Sequence, residues 1–237
     1  ADVLTKTEQM LTEGATFIDV GAYSSRPDAQ HISEEEELCR ITPIIELLVK
    51  EFPNIILSID TFRSKVAKET VNAGAAMIND ISGGNLDEHM MKCVAELQVP
   101  YILMHMKGTP QSMKNENKYK NMLQEILFYF SEKIKTARNL GINDLILDPG
   151  FGFAKNIPQN FELMNQLELF KNLDHPFLVG ISRKSFIYKS LQTTPQGALN
   201  GTTMLHTVSL MKGASILRVH DVKEAVECVK LYQQLKQ

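Results

Sequence analysis

The sequence predicts an α/β protein built on a parallel sheet and closed as a (β/α)8 barrel. Three observations carry this. Short β-rich runs, nearly continuous in apolar residues, alternate with amphipathic segments of helical length, the pattern of parallel strands covered on both faces. Gly14, Gly74, Gly141 and Gly213 each stand just past a helical segment and shortly before a strand, where a left-handed residue commonly ends a helix. Finally, each strand run ends in, or is followed by, polar side chains: Asp19, Asp60, Asn79 with Asp80, His105, Asp148, Ser182 to Lys184, and Arg218 with His220. An open sheet gathers its ligand groups at a switch point from a few strands, whereas a closed barrel brings all strand ends to one mouth. The even use of every strand end favours the barrel.

Strands are expected at 17–20, 55–59, 77–79, 101–104, 145–147, 177–181 and 215–218, and helices near 3–13, 34–51, 64–73, 87–98, 120–140, 158–170, 197–212 and 222–236. Ser33 followed by Glu36 forms a capping-box pattern that opens the second helix. Ser185 is expected to begin a further short helix. The count is eight long helices against seven strands, and the chain opens on a helix, where such a barrel opens on a strand. The sequence also starts at Ala1, with its first Met at Met10. The expectation is that the first strand and its loop lie upstream of Ala1. No linker, repeat or composition shift divides residues 1–237, which read as a single domain.

The chain has 237 residues, 43% of them hydrophobic and 22% charged, enough apolar material for a large core. Its formal charge of -3 gives no basic excess for a nucleic-acid partner. No run approaches the roughly 20 apolar residues of a membrane span, and the N-terminus lacks the order of a secretory signal. Cys39, Cys93 and Cys228 are far apart and form no metal-binding or disulfide pattern, which suits a reducing cytoplasm.

The strand-end loops carry the chemistry. In GAYSSRPDA (21–29), Pro27 stiffens the turn after Arg26, and a rigid guanidinium suits an oxyanion. Asp60 in SIDT reads, on its own segment, as a cap for the next helix before it reads as a site carboxylate. Asn79 in IND offers donor and acceptor together, useful for a heterocycle edge, ahead of a Gly83–Gly84 pair that reads as a loose loop. In LMHM, Met104 and Met106 are soft fillers suited to a ring face or to plain core packing. Asp148, directly after LIL, should lie deep in the mouth, where a buried carboxylate needs paired donors. Phe151 and Phe153 alternate with glycines on what reads as a mobile loop. Lys184 can donate to carbonyl or ring-nitrogen acceptors, and the helix starting at Ser185 could hold a carboxylate at its free N–H groups. Arg218 and His220, two apart on an extended segment, point the same way and with Arg26 would form an anion pocket. His206 falls in a helical stripe and reads as a packed histidine. His31, His89 and His175 read as surface or loop residues.

In order, IDVG, SSRP, SIDT, IND, LMHM, DPGFGF, SRKS and RVHD resemble the dihydropteroate synthase family from about Gly14 to Val226. The resemblance implies a (β/α)8 barrel transferase of folate biosynthesis. It would join 4-aminobenzoate to 6-hydroxymethyl-7,8-dihydropterin diphosphate, releasing pyrophosphate, and be a sulfonamide target. It implies that Asp60, Asn79, Met104, Asp148 and Lys184 contact the pterin, and that Arg26, Arg218 and His220 hold the pyrophosphate. Ser25, Pro27, Phe153, Lys184 and Ser185 would surround the aminobenzoate, with Lys184, Asp60, Arg218 and His220 serving catalysis. It also implies Mg²⁺, a homodimer and a cytoplasmic location. The family's metal-binding Asn belongs to the loop after the first strand, so no metal ligand is assigned here. Ser25, Asp28 and Ala154 depart from the family's usual Thr, Gly and Gly. Two other classes fit less well. A pterin-binding methyltransferase barrel shares the Asp and Asn contacts but not the SRKS and RVHD set. A non-catalytic pterin-binding protein with seven strands would expose two unpaired sheet edges.

Overall fold

A computed structural model describes residues 2–24, 31–113 and 116–236. Strands and helices alternate: α1 (Asp2–Glu13), β1 (Ile18–Val20), α2 (Glu34–Glu51), β2 (Leu57–Asp60), α3 (Ser64–Asn72), β3 (Met77–Asp80), α4 (Met90–Leu97), β4 (Tyr101–Met104), α5 (Met122–Asn139), β5 (Leu145–Asp148), α6 (Ile157–Asn165), β6 (Leu178–Val179), α7 (Ser185–Ser190), α8 (Leu199–Met211), β7 (Ile216–Leu217) and α9 (Val222–Gln234). The first five strands form one parallel sheet in sequence order, and β6 pairs in parallel with β7. A bridge between Leu147 and Phe177 joins the two. Helix α1 packs against both α2 and α9. The helices thus ring a curved wall of seven parallel strands, the barrel architecture that the strand ends predict.

The period-two pleat sorts side chains into two cores. Ile59, Ile78, Leu103, Leu147 and Val179 face outward into the large core shared with the helices. Met77, Ile102, Ile146 and Leu178, with Ile216 packed against them, form a separate cluster, one residue from each of β3 to β7. These fill one layer of the barrel interior, as packed barrels require. On the outer face, α5 buries Met122, Ile126, Phe130, Ile134 and Ala137 at three- and four-residue spacing, the stripe of a half-buried helix.

Most boundaries fall where expected, and the departures have local causes. The helix expected over 87–98 starts only at Met90, because the Asp87 carboxylate instead accepts from the backbone N–H groups of Ser64 (2.6 Å) and His89 (2.9 Å). The helix expected over 158–170 ends at Asn165 and continues as a 3-10 turn, Leu167–Leu173, whose three-residue spacing buries both Leu167 and Phe170. A short 3-10 turn, Gln196–Ala198, likewise precedes α8. The four helix-ending glycines all have positive φ.

Helix α2 is held to the β2–α3 loop by a buried ion pair. Glu37 is fully buried on α2, accepts from the Thr61 hydroxyl at 2.8 Å and pairs with the Arg63 guanidinium. Arg63 also donates to the Ile32 carbonyl at 2.7 Å. Such a pair adds little net stability over apolar packing, but removing one partner strands a buried charge at about 3–5 kcal/mol. Arg63→Met is therefore expected to lower the unfolding free energy by about 3 kcal/mol, read from urea unfolding at pH 7. An unchanged midpoint would show that Glu37 needs no cation.

Candidate active site

One register step above the apolar interior layer, the same pleat face becomes polar. Asp60 pairs in register with Asn79, and Met104 with Asp148. Alternation turns Asp19, Asp60, Asn79, Met104 and Asp148 to the barrel interior at the C-terminal strand ends. Arg218 follows β7 directly. Its Nε donates to Asp19 at 2.6 Å and its Nη2 to Asp60 at 2.7 Å, so a residue beyond the last strand is tied to the first two. Asn79 donates to the same Asp19 carboxylate at 3.2 Å. Burial pushes Asp60 above the usual carboxylate range, with Arg218 pulling against it and Asp19 adding to it. Burial opposes the Arg218 charge, but the two carboxylates more than offset it and raise its pKa overall.

Asp148 is buried, and its carboxylate accepts from the Gly150 N–H at 2.8 Å. Burial raises its pKa, against the pull of Lys184 and that N–H group. The loop geometry requires glycine: Gly150 has φ 71°, and a Cβ there would sit 2.1 Å from the His105 carbonyl oxygen. Lys184 donates to the Phe151 carbonyl and lies 4.8 Å from the Phe153 ring centre. Burial lowers it to about 8, with Asp148 opposing the shift. Met104 packs in an apolar cluster with Met106 and Ala154, against which Phe153 also lies.

Asp60, Asn79, Met104, Asp148 and Lys184 converge on the mouth, with Arg218 among them. His206 is buried on α8, and His31 and His89 are exposed. His220 is exposed beyond β7, where its backbone N–H donates to Ser182 at 3.2 Å. Ser25, Arg26 and Pro27 lie outside the described residues. Ser185 does begin a helix, six residues long.

Two expectations need correction. Phe151 is not on a mobile surface: it is fully buried and stacks on Phe186 with ring centres 6.1 Å apart. The Gly83–Gly84 loop is not loose either. The buried Asp80 carboxylate accepts from the Ser82 N–H and hydroxyl and the Gly84 N–H, each at 2.7 Å, and from Tyr101 at 2.6 Å.

Other side chains had no assigned role in the sequence. Asp19 was visible as a strand-end carboxylate, but its partner is 199 residues away. Arg183, at φ 52°, turns toward Asp221 and makes a two-point ion pair at 2.8 and 2.9 Å. It thereby ties the loop after β6 to the start of α9. Lys155 is buried beneath the β5 loop. Its only signal was a lysine ending an apolar, glycine-rich run.

The raised carboxyls have a consequence for stability. A carboxyl whose folded pKa exceeds its unfolded value favours the folded state at low pH, and that contribution is lost as pH rises through the folded pKa. Asn at position 148 imitates the neutral acid and can still accept from Gly150. Asp148→Asn is thus expected to resist urea better than the parent at pH 8, with the difference shrinking towards pH 4. A difference independent of pH would contradict the burial cost assigned to Asp148.

Known proteins share this sequence pattern and fold. The chain matches the pterin binding enzyme family over residues 1–220. It is 39% identical over 234 residues to the dihydropteroate synthase of Escherichia coli (strain K12), covering 98% of this chain and 82% of the relative. Among solved structures, the Yersinia pestis dihydropteroate synthase in complex with a sulfonamide drug superposes with a TM-score of 0.94 at 38% identity, over 98% of this chain and 85% of the other. The Xanthomonas albilineans enzyme with 4-aminobenzoic acid gives 0.91 at 35% identity, over 98% and 84%. With its parallel α/β architecture and its polar layer at the strand ends, the chain belongs to the pterin-binding enzymes and, among them, to the dihydropteroate synthases, which are transferases.

Proposed function

We propose that this chain condenses 6-hydroxymethyl-7,8-dihydropterin diphosphate with 4-aminobenzoate, giving 7,8-dihydropteroate and pyrophosphate by a dissociative substitution. The observation that carries the reading is the single polar layer at the mouth, where carboxylates, an amide and two cations converge. The Asp148 carboxylate accepts from the pterin N3–H and 2-amino group, which form a parallel donor pair. Asn79 meets the same pyrimidine edge, and Asp60 lies on the N8 side. Lys184 donates to the pterin oxygen and N5, and Met104 lines the slot. Arg218 and His220, with Arg26, hold the diphosphate. Ser25, Pro27, Phe153, Lys184 and Ser185 surround the aminobenzoate, a ligand the Xanthomonas albilineans enzyme holds.

The methylene carbon–oxygen bond breaks first, and pyrophosphate leaves with the bonding electron pair. Cationic donors stabilise the charge developing on the leaving group, while the reduced ring delocalises the carbocation. The arylamine nitrogen then forms the new bond to carbon and loses one proton. The barrel supplies orientation and electrostatics, with no covalent intermediate.

The reading also includes a homodimer in the cytoplasm. In support, α8 leaves Met204 and Met211 exposed. No helix among the described residues is long and apolar enough to cross a membrane. Mg²⁺ is part of the reading as a companion of the diphosphate. Among the described residues, no group of three or more His, Cys, Asp or Glu side chains could hold an ion.

The reaction is tested by incubating the protein with both substrates and Mg²⁺ and measuring dihydropteroate. Lys184→Ala is expected to lower kcat/KM by about 10²-fold, the usual loss when one preorganised donor is removed. Full activity in that variant would overturn its assignment. Charged Lys184 is lost as pH rises through about 8. The parent's kcat/KM should therefore decline on the alkaline side near that pH, and Lys184→Arg should move the decline upward. An alkaline limb unchanged by Lys184→Arg would separate Lys184 from the pH dependence.

A further inference from the structure

Lys155 is a buried ammonium whose hydrogen-bond partners are all neutral. Its Nζ donates to the Gly150 carbonyl at 2.9 Å and the Phe153 carbonyl at 3.1 Å, and it meets His105 Nδ1 at 3.3 Å. Three donors face three acceptors, so its donor capacity is filled. An apolar side chain would fill this space without the cost of burying a charge. What the lysine adds is loop geometry and charge.

The geometry is specific. Two of the partners are carbonyls of the loop that Lys155 itself ends, so the side chain folds the segment from Gly150 to Lys155 into a closed ring. The third, His105, is fastened to the same region by its own N–H, which donates to the Asp148 carbonyl at 2.9 Å. From outside, the Tyr119 hydroxyl donates to the Ala154 carbonyl at 3.0 Å. The ring so fixed presents two groups towards the mouth: the Gly150 N–H, which meets the Asp148 carboxylate, and the Phe151 carbonyl, which receives Lys184.

We propose that Lys155 is a positioning residue for the reaction, which, without touching substrate, holds the β5 loop in register and places a buried positive charge under Asp148. The inference rests on Asp148 being the carboxylate that grips the pterin. Burial lowers Lys155 to about 7, with Asp148 drawing it back up, and Lys155 in turn favours the ionised form of Asp148. The charged groups facing this ammonium are Asp148, Lys184 and Lys107, with the His105 imidazole in contact.

The test compares Lys155→Met and Lys155→Arg with the parent. In Lys155→Met, the KM for the pterin diphosphate is expected to rise about tenfold, with a smaller change in kcat. The acid limb of kcat/KM should move to higher pH by about half a unit to one unit, because Asp148 loses a neighbouring cation. Lys155→Arg should restore the limb. A role in packing alone would lower stability without moving it. Since His105 faces the same ammonium, the shift must persist in a His105→Asn background. Its disappearance there would overturn the assignment to Asp148, as would a parental KM and acid limb in a folded Lys155→Met. Amide exchange across residues 150–155 of the substrate-free protein gives an independent readout. It should quicken at least tenfold in Lys155→Met, and parental exchange would overturn the inference. A parent that fails to bind the pterin diphosphate would count against the proposed reaction, and the exchange comparison would still decide the role of Lys155.

Discussion

Arg218 is the interaction on which the mouth of the barrel depends. Its guanidinium spans Asp19 and Asp60 at once, and Asn79 joins the first of these. Two carboxylates on adjacent strands repel one another in a partly buried setting, and Asp60 already sits above its ordinary range. The fork geometry of arginine answers both with separate N–H groups, which a lysine could do only as a point charge. The clamp therefore does two things. It neutralises the polar layer, and it draws the strand pair β6–β7 towards β1 and β2 across the interior.

The loops around this layer are fixed by a second tier of buried polar contacts. Asp80 locks the loop after β3, the Arg183–Asp221 pair ties the loop after β6 to α9, and Lys155 closes the loop after β5. Each satisfies its hydrogen-bonding groups locally, as buried polar atoms must. The polar layer itself retains raised carboxyls and a lowered lysine. Preorganised sites commonly carry that expense in stability in exchange for fixed electrostatics.

Much of this was legible in the sequence because strand alternation is a strict rule. Once LILD is a strand, Ile146 faces in and so does Asp148. The same rule brings Asn79 and Asp60 to the interior. What alternation does not supply is a partner. Nothing local to IDV announces that Asp19 meets Arg218, and nothing near GFGFAK shows that its lysine turns under its own loop to His105. For Phe151 the glycine neighbours suggest mobility, whereas the buried ring stacks against Phe186. The loose reading of Gly83–Gly84 failed for a similar reason. Glycine there permits positive φ at both positions, while the rigidity comes from Asp80 and from Tyr101 on the next strand.

The 199-residue span between Asp19 and Arg218 also has a bearing on how the chain folds. Each strand of the wall pairs in parallel with a neighbour close in sequence, so the wall can grow one strand–helix–strand crossover at a time. Contacts between distant residues form late, since the entropy of closing a long loop must be met before the contact rewards it. The clamp cannot form until β7 has docked. The strands β1 to β5 carry Asp19, Asp60, Asn79 and Asp148, but the cation that joins Asp19 to Asp60 arrives only with the segment after β7, so the electrostatics of the mouth depend on the whole wall being in place.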